Sequence, residues 1–181
     1  MKFLELITTR QSVRKYQDRP VEKEKLEQLI EAVRLAPSAS NSQPWRLIIV
    51  DDPELKDKVA RATFSKVVFF NRFAVEAPVF AVLVLEKPKV ITQIGGRMKQ
   101  REFPLIDIGI AAEHFCLQAT ELGLGTCMIG WFDEETMKEL LHIPLSRRIG
   151  LVISLGYAEE GYELREKKRK GVEAMCSFNR Y

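Results

Sequence analysis

The residues able to do chemistry fall into four short stretches. Near the start, "RQSVRK" sets Arg10, Arg14 and Lys15 beside Gln11 and the Ser12 hydroxyl. Near the end, "REKKRK" gathers Arg165, Lys167, Lys168, Arg169 and Lys170. Guanidinium forks, an ammonium and a hydroxyl make a donor set for phosphate if the two chain ends converge. If they stay apart, such runs are solvated faces and tails. Between them lies "LAPSASNSQPW", residues 35–45, with two prolines, three serines and one of only two tryptophans. Prolines and short polar side chains build connecting loops, but the serine series exceeds what a connector needs and suits a loop facing a polar ligand. "GLGTCMIG", residues 123–130, reads as a glycine-punctuated turn into a short strand.

Other chemistries find no support. The three cysteines, Cys116, Cys127 and Cys176, are odd in number and widely spaced, which suggests neither a disulfide framework nor a CxxC metal site. His114 and His142 form no HExxH pattern and read as structural. No paired carboxylates or nucleophile–base arrangement stand out, and Cys127 reads as a small strand filler. A formal charge of +3 is too small to imply nucleic acid, and aromatic residues are not interleaved with the basic ones. No signal peptide is visible, and "APVFAVLVL" is too short to cross a bilayer as a helix. The expectation is a cytoplasmic, metal-free protein with no membrane or nucleic-acid partner.

These stretches need elements to position them. The sequence predicts a short helix over Phe3–Thr9 and an amphipathic one over Val21–Ala36, stopped by Pro37. "WRLIIVDD" reads as a strand, and "DPELKDKVARAT" as a helix with Asp52 as cap and Pro53 in its first turn. A short helix is expected over Lys66–Val75, and a strand buried on both faces over Ala77–Glu86. Residues Lys87–Glu102 read as an irregular loop, and the longer segment Ser65–Glu102 as shaping the mouth of any pocket, with Arg97, Lys99 and Arg101 able to admit an anion. Asp107 is read as the cap of a long helix, Ile108–Leu122. That helix is apolar nearly all round, which suggests burial in something larger than one protomer's core. A strand after Gly123, a helix from Asp133 to about Leu141, a last strand in "RIGLVISLGY" and a basic tail complete the chain. With 181 residues, no repeat and no linker, the reading is one α+β domain, residues 1–181.

Taken in order, the four stretches resemble the FMN-dependent nitroreductase family over nearly the whole chain. Arg10, Ser12 and Arg14 match an R-x-S-x-R element, and "PSASNSQPW" is similar to P-S-S-x-N-x-Q-P-W with Ala39 in place of the second serine. "VEAMCSFNRY" is similar to the tail closing on Asn-Arg-Trp or Asn-Arg-Tyr. The resemblance implies a mostly antiparallel central sheet flanked by helices, and a homodimer with FMN at its interface. It implies that Arg10, Ser12, Lys167 and Arg169 approach the phosphate, with Gln11 near them and Arg14 along the ribityl chain and pyrimidine edge. Ile129 and Gly130 present backbone N–H groups to the ring, and Asn71 in "FFNRF" faces the pyrimidine edge, unless it is a helix-surface asparagine. Pro37, Ser38, Ala39 and Asn41 contact the flavin of the other subunit, with Gln43 and Trp45 locking the loop to its own scaffold. Larger relatives carry a basic residue shortly after that asparagine, where this chain offers Arg72.

The implied activity is ping-pong hydride transfer from NAD(P)H through flavin N5 to a small acceptor such as a nitroaromatic or quinone, the protein positioning and tuning the cofactor. Phe69, Phe70 and Phe73 are candidates for an apolar lid. The alternative of another class is a flavin-binding sensor without useful turnover.

Overall fold

The computed structural model describes residues 2–181, apart from the side chain of Arg97; the reading of that side chain as anion-admitting lies outside the described residues. The fold is built on a four-stranded sheet in the order β1-β2-β4-β3, with β1 Trp45–Val50, β2 Val79–Leu85, β3 Gly125–Ile129 and β4 Arg148–Gly156. Each neighbouring pair is antiparallel. Because successive strand residues point to opposite faces, β2 splits its side chains evenly. Val79, Ala81 and Leu83 enter one core with α2 (Lys23–Arg34) and α5 (Phe103–Glu121). Phe80, Val82 and Val84 enter a second core, which takes in Val59 and Ala60 of α3 (Pro53–Arg61) and Met137 of α6 (Glu134–Leu140). This is the α+β layering expected, with β2 covered on both sides.

The short N-terminal helix α1 spans Phe3–Thr9 as expected. Asp52 caps α3 by accepting from Leu55 N at 2.8 Å, and Asp133 caps α6 by accepting from Thr136 N at 3.1 Å. Three segments differ from the sequence reading. Only Arg72–Glu76 of the Lys66–Val75 stretch is helical, as a 3-10 turn. The Ser65 hydroxyl accepts from the Val67 and Val68 amides and holds the chain in a local turn instead. Residues expected to be loop form α4, Val90–Lys99, despite Gly95 and Gly96. Thr92 is buried there, and its hydroxyl donates to Ala39 O at 3.4 Å; docking outweighs weak helix propensity. Finally, α5 starts four residues before Asp107, with Pro104 in its first turn, where a fixed φ suits a helix start. Asp107 is thus no cap: it is buried and turned toward the serine loop.

The buried stripe of α5 includes Ile108, Ala111, Phe115 and Ala119. Its other side is less covered: Ile110, His114 and Leu117 line a groove of about 600 Å³ with Phe3, Leu6 and Leu35. Among the described residues, no helix is long and apolar enough to cross a membrane.

Two contacts fix the Arg10–Tyr16 segment on the sheet. Val13 N donates to Thr126 O at 2.9 Å, and the buried Tyr16 hydroxyl lies 2.9 Å from Val13 O and 2.8 Å from Ser154 Oγ. Burial also pushes the Tyr16 phenol well above its ordinary value. The close approach requires Gly125, since a Cβ there would sit 2.6 Å from Val13 Cγ2. Gly125→Ala is expected to destabilise the protein by about 1–3 kcal/mol in urea unfolding; an unchanged midpoint would show that Val13 is not tightly seated.

Candidate functional site

After β4 the chain turns back and runs antiparallel to residues 11–17. Gln17 N donates to Tyr157 O at 2.9 Å, Tyr16 bridges Ala158, and Glu159 N donates to Lys15 O at 3.0 Å. Further along, the Gln11 amide closes the ladder: Nε2 donates to Glu163 O and Oε1 accepts from Arg165 N, both at 3.1 Å. The Arg14 amide donates to the Tyr162 hydroxyl at 3.2 Å. This pairing brings the two chain ends together.

The result is a pocket of about 260 Å³ lined by Arg10, Gln11, Ser12, Arg14, Arg165, Glu166, Lys167 and Arg169. Five cationic side chains share it with one acid. Lys167 Nζ donates to Arg10 O, and the Arg165 guanidinium donates to Ser12 O. Among the described residues Arg10 Nε is buried with no hydrogen-bonding N or O partner, and the Arg10 side chain bears on the buried Cys116 thiol. Lys167 is held below the ordinary lysine value, first by loss of solvent and then by Arg169 and Arg10, with Glu113 opposing. Five cations gathered around one acid suit the pocket to an anion. The sequence reading passed over Arg165 as a site residue. Its signal was the spacing of Arg165, Lys167 and Arg169, since alternate residues of extended chain share one side.

Gly130 follows β3, is exposed, and would carry a Cβ into open space, with no atom within 4 Å. The preceding Ile129 is buried in the sheet. The Arg14 guanidinium lies 5.9 Å from the centre of the Phe73 ring. Asn71 is buried, which overturns the helix-surface alternative; Nδ2 donates to Thr63 O at 3.0 Å and Trp131 O at 3.1 Å. Its amide hydrogens are therefore spent on the scaffold. Cys127 is buried and its thiol pushed up mainly by desolvation, consistent with a strand filler rather than a nucleophile.

The serine loop lies elsewhere in the chain. Pro37 precedes a turn in which Ser40, Asn41 and Gln43 have φ of 51°, 49° and 46°. Asparagine tolerates this left-handed region, whereas serine and glutamine are strained in it. The turn is held by Ser38 Oγ, which accepts from Gln43 N at 2.8 Å, and by Asn41 Oδ1, which accepts from Gln43 Nε2 at 2.8 Å. Ala39 is clamped through both peptide groups: N donates to Asp107 Oδ1 at 3.1 Å and O accepts from Thr92. Gln43 thus locks the turn upon itself, while Trp45 packs half-buried against the α2–α5 core. No loop residue lines the cation pocket of its own chain.

Residues 7–157 match the model of the nitroreductase family. The chain belongs to that family. A protein of Archaeoglobus fulgidus is 34% identical over 161 residues, covering 87% of this chain and 86% of that one. A Thermus thermophilus protein named NADH dehydrogenase is 29% identical, with 84% and 85% covered. The solved structure of an FMN-dependent nitroreductase from Clostridium difficile R20291 superposes with a TM-score of 0.76 at 29% identity, covering 99% of this chain and all of that one.

Gln11→Ala removes two contacts to the tail. It is expected to speed amide exchange at Arg165 markedly while changing global stability by less than about 1 kcal/mol; unchanged exchange at Arg165 would mean that the tail is held without it.

Proposed function

We propose that this nitroreductase family member is an oxidoreductase of one domain, residues 1–181, that holds FMN. It carries hydride from NAD(P)H to a small acceptor, a nitroaromatic, quinone or similar compound, by a ping-pong route. The observation that carries the reading is the convergence of five cationic side chains from both chain ends on one small pocket. A phosphate dianion in that pocket accepts from the surrounding donors and relieves the repulsion among them. The name of the Clostridium difficile neighbour, an FMN-dependent nitroreductase, supports the same choice of anion.

Arg10, Arg169 and Lys167 hold the phosphate, with the Ser12 hydroxyl as a further donor. Gln11 brackets the segment that carries them, and Arg14, exposed beside Phe73, extends from the pocket to place positive charge at the pyrimidine edge. Asn71 offers only its carbonyl oxygen, since Nδ2 is engaged. Ile129 and the uncluttered Gly130 let backbone N–H groups approach a planar ring. Bound FMN supplies a two-electron carrier that takes hydride from the nicotinamide and passes it to the acceptor. Phe69 and Phe70, both more than 60% exposed, give an apolar approach for that acceptor, while Lys99 and Arg101 bear on its charge.

The serine loop completes a second protomer's site. Pro37, Ser38, Ala39 and Asn41 are clamped at the surface but do not reach the cation pocket of their own chain, so a homodimer brings them to a flavin. The groove beside Ile110 and Leu117 is the apolar face for that contact. The exposed tail side chains Val172, Met175 and Phe178 supply more such surface.

The purified protein is expected to be yellow, and anaerobic stopped flow to show rapid bleaching by NADH or NADPH; flavin that never bleaches would support a sensor instead. The variant combining Arg10→Ala and Arg169→Ala is expected to be folded and colourless, and retention of stoichiometric FMN would remove the phosphate assignment. A bound phosphate raises the lowered Lys167 value, so binding takes up a proton between the free and bound values. FMN affinity, read by flavin fluorescence, is therefore expected to be level near neutral pH and to fall as pH rises through that window. A flat profile there would exclude Lys167 from the phosphate.

A further inference from the structure

A separate cavity, of about 630 Å³, opens between the last turn of α3 and the length of α6. We propose that it binds a planar aromatic carboxylate of one or two rings, independently of FMN. Its apolar walls are Phe64, Trp131 and Phe132, and its rim carries Lys58 and Arg61. Trp131 is 60% exposed, although the backbone around it is fixed. Asn71 ties Trp131 O to Thr63 O, and Asp133 N donates to Ala62 O at 2.7 Å. The two walls are stapled together at a set spacing, and the indole stays largely exposed where it lines the cavity.

The charges at the rim select the ligand. Lys58 and Arg61 make no ion pair among the described residues. The nearby acids are engaged: Asp133 accepts from Thr136 N and, at 2.7 Å, from Thr136 Oγ1, and Asp57 pairs with Lys56 at 2.8 Å. Arg61 also acts on Asp57 through space, which leaves part of its charge and all of that of Lys58 for an incoming group. A position at a helix C-terminus explains why the two cations are tolerated there. It does not explain three aromatic rings below them. A flat ring stacks on indole and phenyl, and a carboxylate at its edge reaches the cations. The volume lies within the range of small-molecule sites.

Titration calorimetry of the flavin-loaded protein with 2-naphthoate tests this, with neutral 2-naphthalenemethanol as control. Naphthoate is expected to bind with a dissociation constant below about 1 mM and more tightly than the alcohol. Lys58→Gln with Arg61→Gln is expected to weaken it roughly fivefold, and Trp131→Ala to weaken both probes. Lys58 and Arg61 are exposed, and flavin content with unfolding midpoint serves as the check on folding. Absence of binding, equal affinity for acid and alcohol, or unchanged affinity in the double variant would each overturn the proposal. FMN loading is read separately by absorbance, so a colourless protein that binds naphthoate would sink the flavin reading alone.

Discussion

The ladder between residues 11–17 and 157–165 forces like charges into one place. Backbone pairing and the two ends of the Gln11 amide hold the tail in register with the N-terminal segment. Once that register is set, Arg10 and Arg14 have no choice but to face Arg165, Lys167 and Arg169. Repulsion among exposed cations is mild in water but grows where solvent is partly excluded; Lys167 is held below its ordinary value first by loss of solvent and then by Arg169 and Arg10. The sheet supplies the rigidity that keeps the pocket assembled: Tyr16 and Val13 anchor one strand of the ladder, and Gly125 gives up its side chain to let them in.

The serine loop follows a different physical logic. Its turn places two residues other than asparagine in the left-handed region, a cost on the order of 1 kcal/mol each. Asp107 and Thr92, from two separate helices, offset it by gripping the two peptide groups of Ala39. Asp107 Oδ2 remains buried without a partner. The clamps hold the loop rigid at the surface.

Many of the elements were legible in the sequence. Asp52 with Pro53, and Asp133 ahead of an amphipathic run, mark helix starts through hydrogen bonds made within one turn, so local sequence suffices. The segment β2 declared its burial by an unbroken apolar run. The misreadings share a cause. Gly95 and Gly96 lower helix propensity, yet α4 forms because Thr92 has a partner some fifty residues away in sequence. Asp107 looks like a cap by type and position, and only the path of residues 38–41 reveals whom it serves. For Asn71 only the helix-surface alternative fails, because the fold buries it and gives its amide hydrogens to Thr63 O and Trp131 O.

By itself the sequence determined the residue types at the cationic pocket, the family to which the chain belongs, and the α+β order of elements, because side-chain chemistry and hydrophobic period are local properties. Tertiary structure decided which cations meet, that Arg165 joins them, that Gln11 serves as a bracket, and that a stapled aromatic cavity opens beside Trp131. Those outcomes depend on pairing between segments up to about 150 residues apart, whose register is set by sheet hydrogen bonds and close packing. No local pattern encodes that register.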